Sequence, residues 1–198
     1  MNTTDYWFIW WGGLLGIIGP ILTIILVIAS TVISPWFRWD TNAISALGVG
    51  EVSLLFNSTL ILGGILNLIF ALGLREYLSK EKYSKTGVTL IMLGSVSLLL
   101  VGIFTVSYPT LHAIVALAQF TLPPTGIILI GYASKENTIK KLSITTGIAA
   151  LTAILLLPGI LLALQVKVGF AVPEIIEALI VSAWIIFMGT KLLKFKQK

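Results

Sequence analysis

Residues 7–33 read Trp-Phe-Ile-Trp-Trp-Gly-Gly-Leu-Leu-Gly-Ile-Ile-Gly-Pro-Ile-Leu-Thr-Ile-Ile-Leu-Val-Ile-Ala-Ser-Thr-Val-Ile, without one charged side chain. About 20 apolar residues cross a bilayer core as a helix, so this stretch is long enough to span it. Aromatic residues mark both ends. Trp7, Trp10 and Trp11 open the run, while Trp36, Phe37 and Trp39 follow it, as the amphipathic rings of an interfacial belt do. The residues between the two belts, about 25 at 1.5 Å each, cover roughly 38 Å, the core and part of both interfaces. Met1-Asn2-Thr3-Thr4-Asp5-Tyr6 has no basic residue, and the apolar run exceeds the h-region of a signal peptide. The first segment is therefore expected to stay as a span.

Working outward, five more stretches qualify, at about 53–74, 87–107, 110–132, 143–165 and 173–193. The expectation is an all-α membrane protein, one bundle of six transmembrane helices, forming a single domain over residues 1–198. Composition agrees. Of the 198 residues, 57% are apolar and 11% charged, whereas a soluble domain carries roughly 25% charged residues. Lipid is its natural solvent.

Charge distribution orients the bundle. Arg75, Lys80, Lys82 and Lys85 lie between spans two and three. Lys135, Lys140 and Lys141 lie between four and five, and Lys191, Lys194, Lys196 and Lys198 end the chain. These share one face, and only Arg38 and Lys167 fall on the other. The positive-inside rule puts the lysine-rich face, with both termini, in the cytoplasm, for a multi-pass protein of the cell membrane. The net charge of +5 is thus a topology signal, and no nucleic-acid partner is implied; the expected partners are membrane lipids. Oligomeric state is not encoded legibly.

The chain has no cysteine and one histidine. Disulfides, thiolate metal sites and thiol nucleophiles are excluded, as is a multi-histidine zinc or bis-histidine haem site within one chain. No metal and no cofactor is expected. The catalytic signatures GxSxG, P-loop and HExxH are absent, so no catalytic residue is assigned.

Small residues recur in the spans: Gly12 and Gly16 in the first, Gly63 and Gly64 in the second. They permit close helix approach in lipid. Pro20, Pro123, Pro124 and Pro158 should kink or loosen spans one, four and five. No internal repeat supports an inverted-repeat transporter. The first outer loop is the longest on its side, and residues 40–48 read as a short interfacial helix with Asp40 as N-cap and Gly48 as stop.

Outside the lysine-rich loops and tail, nearly every ionisable group falls on the outer half: Arg38, Asp40, Glu51, His112, Lys167, Glu174 and Glu177. Polar groups in spans are costly unless partnered, which makes them functional candidates. His112 and Gln119, seven residues apart, share a helix face, and Pro123-Pro124 follows. That face can line an outward-facing polar pocket with His112 at its mouth; the plainer reading has His112 cap the first turn of span four. Glu174 and Glu177 follow Pro173 at a helix start, where the macrodipole favours negative charge. Glu51 opens span two, and Lys167 suits a helix C-terminus. Asn67, deeper in span two, is expected to make an interhelical hydrogen bond.

Asn42-Ala43-Ile44-Ser45-Ala46-Leu47-Gly48, followed by Leu55-Phe56-Asn57 and the Gly63-Gly64 helix, resembles a prokaryotic family of small six-helix membrane proteins of unknown function. Its pattern is an Ile-Ser-x-Leu-Gly loop before a Phe-Asn at the top of the second helix. Gly102-Ile103-Phe104, Leu111-His112 and Phe120 are similar to a second block of that family; Ser107-Tyr108-Pro109 stands where the pattern has an acidic residue. The resemblance covers about residues 35–125. It implies a six-helix bundle without an agreed activity and draws together Asn42, Ser45, Asn57 and His112.

The candidate ligand-binding residues are therefore His112, Asn57, Asp40, Asn42, Ser45, Gln119 and Glu51. Two functions fit. One is a membrane protein whose outward-facing pocket binds a lipid headgroup or small molecule. The alternative is a membrane-embedded enzyme on a lipid or prenyl substrate, with His112 as general base and Asp40 or Glu51 orienting it. A channel or transporter would need a polar path across the membrane, and polar residues thin out toward the cytoplasmic half.

Overall fold

Within a bilayer every backbone N–H and C=O must be satisfied inside the segment, which leaves the helix as the form for single apolar stretches. The computed structural model describes residues 3–78 and 81–195. Lys80, Lys196 and Lys198 of the charge pattern lie outside the described residues. Helix α1 spans Thr3–Val32, α2 Ser53–Tyr77, α3 Lys82–Ile103 and α4 Pro109–Ala133. The fifth span comprises α5 (Asn137–Leu151), a π-helical turn at Thr152–Leu156 and α6 (Leu157–Ala163); α7 is Ala171–Leu193. All six spans are long and apolar enough to cross a membrane.

Hydrophobic runs locate the helices well and their ends less well. Helix α3 starts at Lys82, and α5 at Asn137, each about five residues before its apolar run. Charged side chains continue a helix into the interface without breaking its hydrogen-bond ladder, so hydropathy alone stops short. Hydroxyls inside the spans are satisfied locally. Ser30 Oγ donates to Leu26 O at 2.8 Å, and Ser95 Oγ to Ile91 O at 2.8 Å.

The six spans form a closed ring. Each of α1 to α5 packs on its sequence neighbour, and α7 closes the circle between α5 and α1. Glycines set the spacing. A methyl on Gly12 would sit 2.8 Å from Gly73 Cα, and one on Gly87 2.6 Å from Gly126 O, so α1–α2 and α3–α4 pack backbone to backbone. Gly63 faces the Thr23 side chain of α1, and Gly64 the backbone of α3 at Ser95 and Leu99.

The lysine-rich half of the ring is filled. Ile9, Phe70, Leu74, Val88, Ile127, Ile130, Trp184, Met188 and Leu192 are buried there. Trp184 stacks edge-on against Phe70 at 6.4 Å and donates Nε1–H to Ser143 Oγ at 2.8 Å. That bond ties α5 to α7, worth about 0.6 kcal/mol by analogy with other intramembrane bonds.

The lysine-poor half is plugged from its end. Residues 44–48 form a 3-10 turn whose Ile44 and Leu47 are buried with Val27, Phe56, Leu60, Val101 and Ala171. This corrects the interfacial helix of residues 40–48. The regular turn begins at Ile44, without a side-chain cap, because its apolar side chains are drawn into the ring. Asp40 instead pairs with Arg38. The turn does stop at Gly48. Two backbone bonds stitch this loop to the chain before α7, Gly169 N–H to Trp39 O at 3.0 Å and Ala171 N–H to Asn42 O at 2.9 Å.

The fifth span breaks where proline predicts. Pro158 has no N–H to return to Ile154 O, and the π turn lies directly before it. Beyond that break α6 buries none of its residues. Direct contacts between α4 and α7 are sparse, so the lysine-poor half of the ring is thinly closed between those two helices.

Candidate functional site

Between the apolar plug and the filled half lies a cavity of about 140 Å³. One water occupies roughly 10–15 Å³ of such volume, so the space takes a small organic group. It is lined from α1, the 3-10 turn, α2, α3, α4 and α7, with none of its lining from the fifth span. Thr23, Ile24, Val27, Phe56, Leu60, Leu98, Val101, Phe120 and Ile185 make it largely apolar.

Helix α7 supplies the charge. Glu174 and Glu177 are one turn apart and both line the cavity. Glu174 Oε2 accepts the backbone N–H of Ile44 at 2.6 Å. Glu177 is 1% exposed, and its Oε2 has no hydrogen-bond partner among the described residues. It lies six residues past Ala171, about 9 Å down the helix at 1.5 Å per residue. The expectation that both carboxylates merely complement a helix start holds in position for Glu174, in the first turn. Glu177 is a full turn deeper and faces the interior.

Helix α4 supplies His112, Gln119, Phe120 and Pro123. His112 Nδ1 lies 2.8 Å from Phe104 O; a carbonyl only accepts, so Nδ1–H donates this bond. Pro123 and Pro124 cannot donate to the carbonyls of Gln119 and Phe120 four residues back, which leaves two helix carbonyls without their usual donor beside the cavity. From α2 comes Asn67, whose Oδ1 is buried without a partner among the described residues.

Of the seven candidates from sequence, the structure brings His112, Gln119 and Ser45 together on the cavity wall. The other four serve the loop or stand apart. Asn57 Nδ2 donates to Gly48 O at 3.0 Å, holding the 3-10 turn on α2. Asn42 Oδ1 accepts Arg38 N–H at 2.7 Å. Asp40 takes two bonds from the Arg38 guanidinium, at 3.0 and 2.7 Å, which hold its carboxyl below the usual range. Glu51 is exposed ahead of α2. Neither Asp40 nor Glu51 lines the cavity.

Sequence reasoning passed over Glu177, the most buried carboxylate of the site. Its signal was depth: an acidic residue two turns into a span is costly unless it has a use. A preceding proline and a nearby helix start offered a sufficient explanation, and only packing shows which way the side chain faces. Asn67 was singled out, but for a different role.

No curated protein and no solved structure matches the chain. The profile of the family described as protein of unknown function (DUF998) matches residues 17–191, nearly all of the six-span bundle, and the chain belongs to that family.

Proposed function

We propose that this multi-pass membrane protein is a binding protein whose intramembrane cavity takes the polar end of a lipid or other small amphiphile. The observation that carries this reading is the cavity itself: about 140 Å³ of mostly apolar wall, with a fully buried Glu177 that has no hydrogen-bond partner for its Oε2 among the described residues. A bundle built only for structure would gain by filling that space, since voids forfeit dispersion contacts. The positive-inside rule supports an orientation with the lysine-poor end outward, which places the cavity in the outer part of the bilayer. The thin closure between α4 and α7 supports lateral access from lipid.

The enzymatic alternative needs a carboxylate to orient His112. Its Nδ1 is engaged by Phe104 O, and Asp40 by Arg38, so binding is the better supported of the two.

Native mass spectrometry tests the reading, on wild type beside His112→Ala and Ala178→Phe, the latter placing a phenyl ring at a lining residue of α7 to fill the cavity. A co-purifying mass held by the wild type and lost from Ala178→Phe is the expected result. Identical bound lipids on all three proteins would sink it.

A further inference from the structure

Carboxyl groups outnumber basic side chains on the cavity wall. Its acidic side chains are Glu174 and Glu177, and among the described residues no lysine or arginine lines it. Glu174 already has the Ile44 N–H; Glu177 Oε2 has nothing among the described residues. Asn67 Oδ1 is equally unpartnered. The prolines at 123 and 124 add the carbonyls of Gln119 and Phe120, deprived of their helical donors. Asn67, Gln119, Ser45 and Ser182 also bring donors to the wall, but no lysine or arginine among the described residues balances its two carboxyls. A phosphate or carboxylate headgroup would meet them without a compensating cation, and buried unpaired charge is heavily penalised.

We propose, on the reading that this cavity binds an amphiphile, that its ligand is an apolar amine in the ammonium form, with the charged nitrogen at Glu177 and the hydrocarbon against the Ile, Val, Leu and Phe walls. An ammonium group brings donors and a positive charge; lining amides and hydroxyls can donate already, but among the described residues no lysine or arginine lines the site. The burial of Glu177 makes the contact selective: a charged partner in a water-poor cavity is held by a charge-assisted bond, while an alcohol of the same length offers a single neutral donor. The thin closure between α4 and α7 is where a chain longer than the cavity would run out into lipid.

The test uses the full-length protein in a maltoside detergent, with thermal unfolding followed against dodecylamine, dodecanol and dodecanoate. Dodecylamine is expected to raise the midpoint saturably and to act at a concentration about tenfold or more below dodecanol, the size of a hydrogen bond to a charged group. Dodecanoate is expected to give no saturable shift. Glu177→Gln, which keeps shape and removes charge, is expected to bring the amine to the level of the alcohol. Equal action of amine and alcohol on the wild type, a comparison that needs no variant, overturns the amine assignment. So does an amine preference that survives in Glu177→Gln, or a shift produced by sodium chloride alone. If amine and alcohol act equally and Ala178→Phe abolishes both, the amine assignment fails and the binding cavity stands. If none of the three amphiphiles acts saturably, both fail.

Discussion

Glu174 Oε2 accepts the backbone N–H of Ile44 at 2.6 Å across a separation of 130 residues, and so joins the first turn of α7 to the 3-10 turn that plugs the ring. Removing it frees the plug. Glu174→Ala is expected to raise amide hydrogen exchange at residues 44–48, with a stability loss of about 1–3 kcal/mol for a buried N–H left without its charged acceptor. Unchanged exchange there would show that Asn57, the backbone bonds to Trp39 and Asn42 and apolar contacts hold the turn without Glu174.

Glu177 is a liability to the empty protein. An unpartnered buried polar group costs about 1–3 kcal/mol, so Glu177→Met, similar in length and apolar, is expected to raise the unfolding midpoint while abolishing ligand retention. Lower stability in the ligand-free variant would show that Glu177 has an internal partner.

The glycine seams differ sharply from the exposed turn near Pro158. A methyl on Gly87 would meet Gly126 O at 2.6 Å, whereas one on Gly159 meets nothing within 4 Å. Gly87→Ala is expected to cost about 1–3 kcal/mol through overpacking. Gly159→Ala should stabilise by about 0.5–1 kcal/mol, as replacing helical glycine does. Thermal unfolding of the two variants side by side reads the difference.

A cysteine-free chain suits topology mapping. A single cysteine at Lys167 is expected to react with a membrane-impermeant maleimide on intact cells, and one at Lys140 only after permeabilisation. The reverse pattern would invert the bundle and put the cavity in the cytoplasmic leaflet.

Asp40 gives a contrasting control. Its folded pKa is depressed by Arg38, so any stability it adds is present above its unfolded pKa and is lost as pH falls through the lower folded one. The pair is fully exposed, where such bridges contribute little. Asp40→Asn is expected to leave ligand retention unchanged, measured by the same mass spectra. Loss of ligand would mean that the loop, and not only the cavity, contacts it.

Spans, their number and their charge asymmetry were all legible in the residues, because each depends on a local property: the length of an apolar run, or the side on which a lysine falls. His112, Gln119 and Ser45 were found the same way, as polar residues at the right depth. Asn57 shared that depth yet turned to the 3-10 turn, since depth along the membrane normal says nothing about direction around the helix axis; Asp40 and Asn42 lie in the loop itself and bond to Arg38. What the tertiary structure decided was the ring order that sets α7 between α5 and α1, the 3-10 turn drawn in as a plug, and the inward aim of Glu177. Each depends on partners far apart in the chain: Ile44 with Glu174, Gly12 with Gly73, Ser143 with Trp184. Whether a polar atom is satisfied is a property of its neighbours, and for Glu177 those neighbours come from other helices.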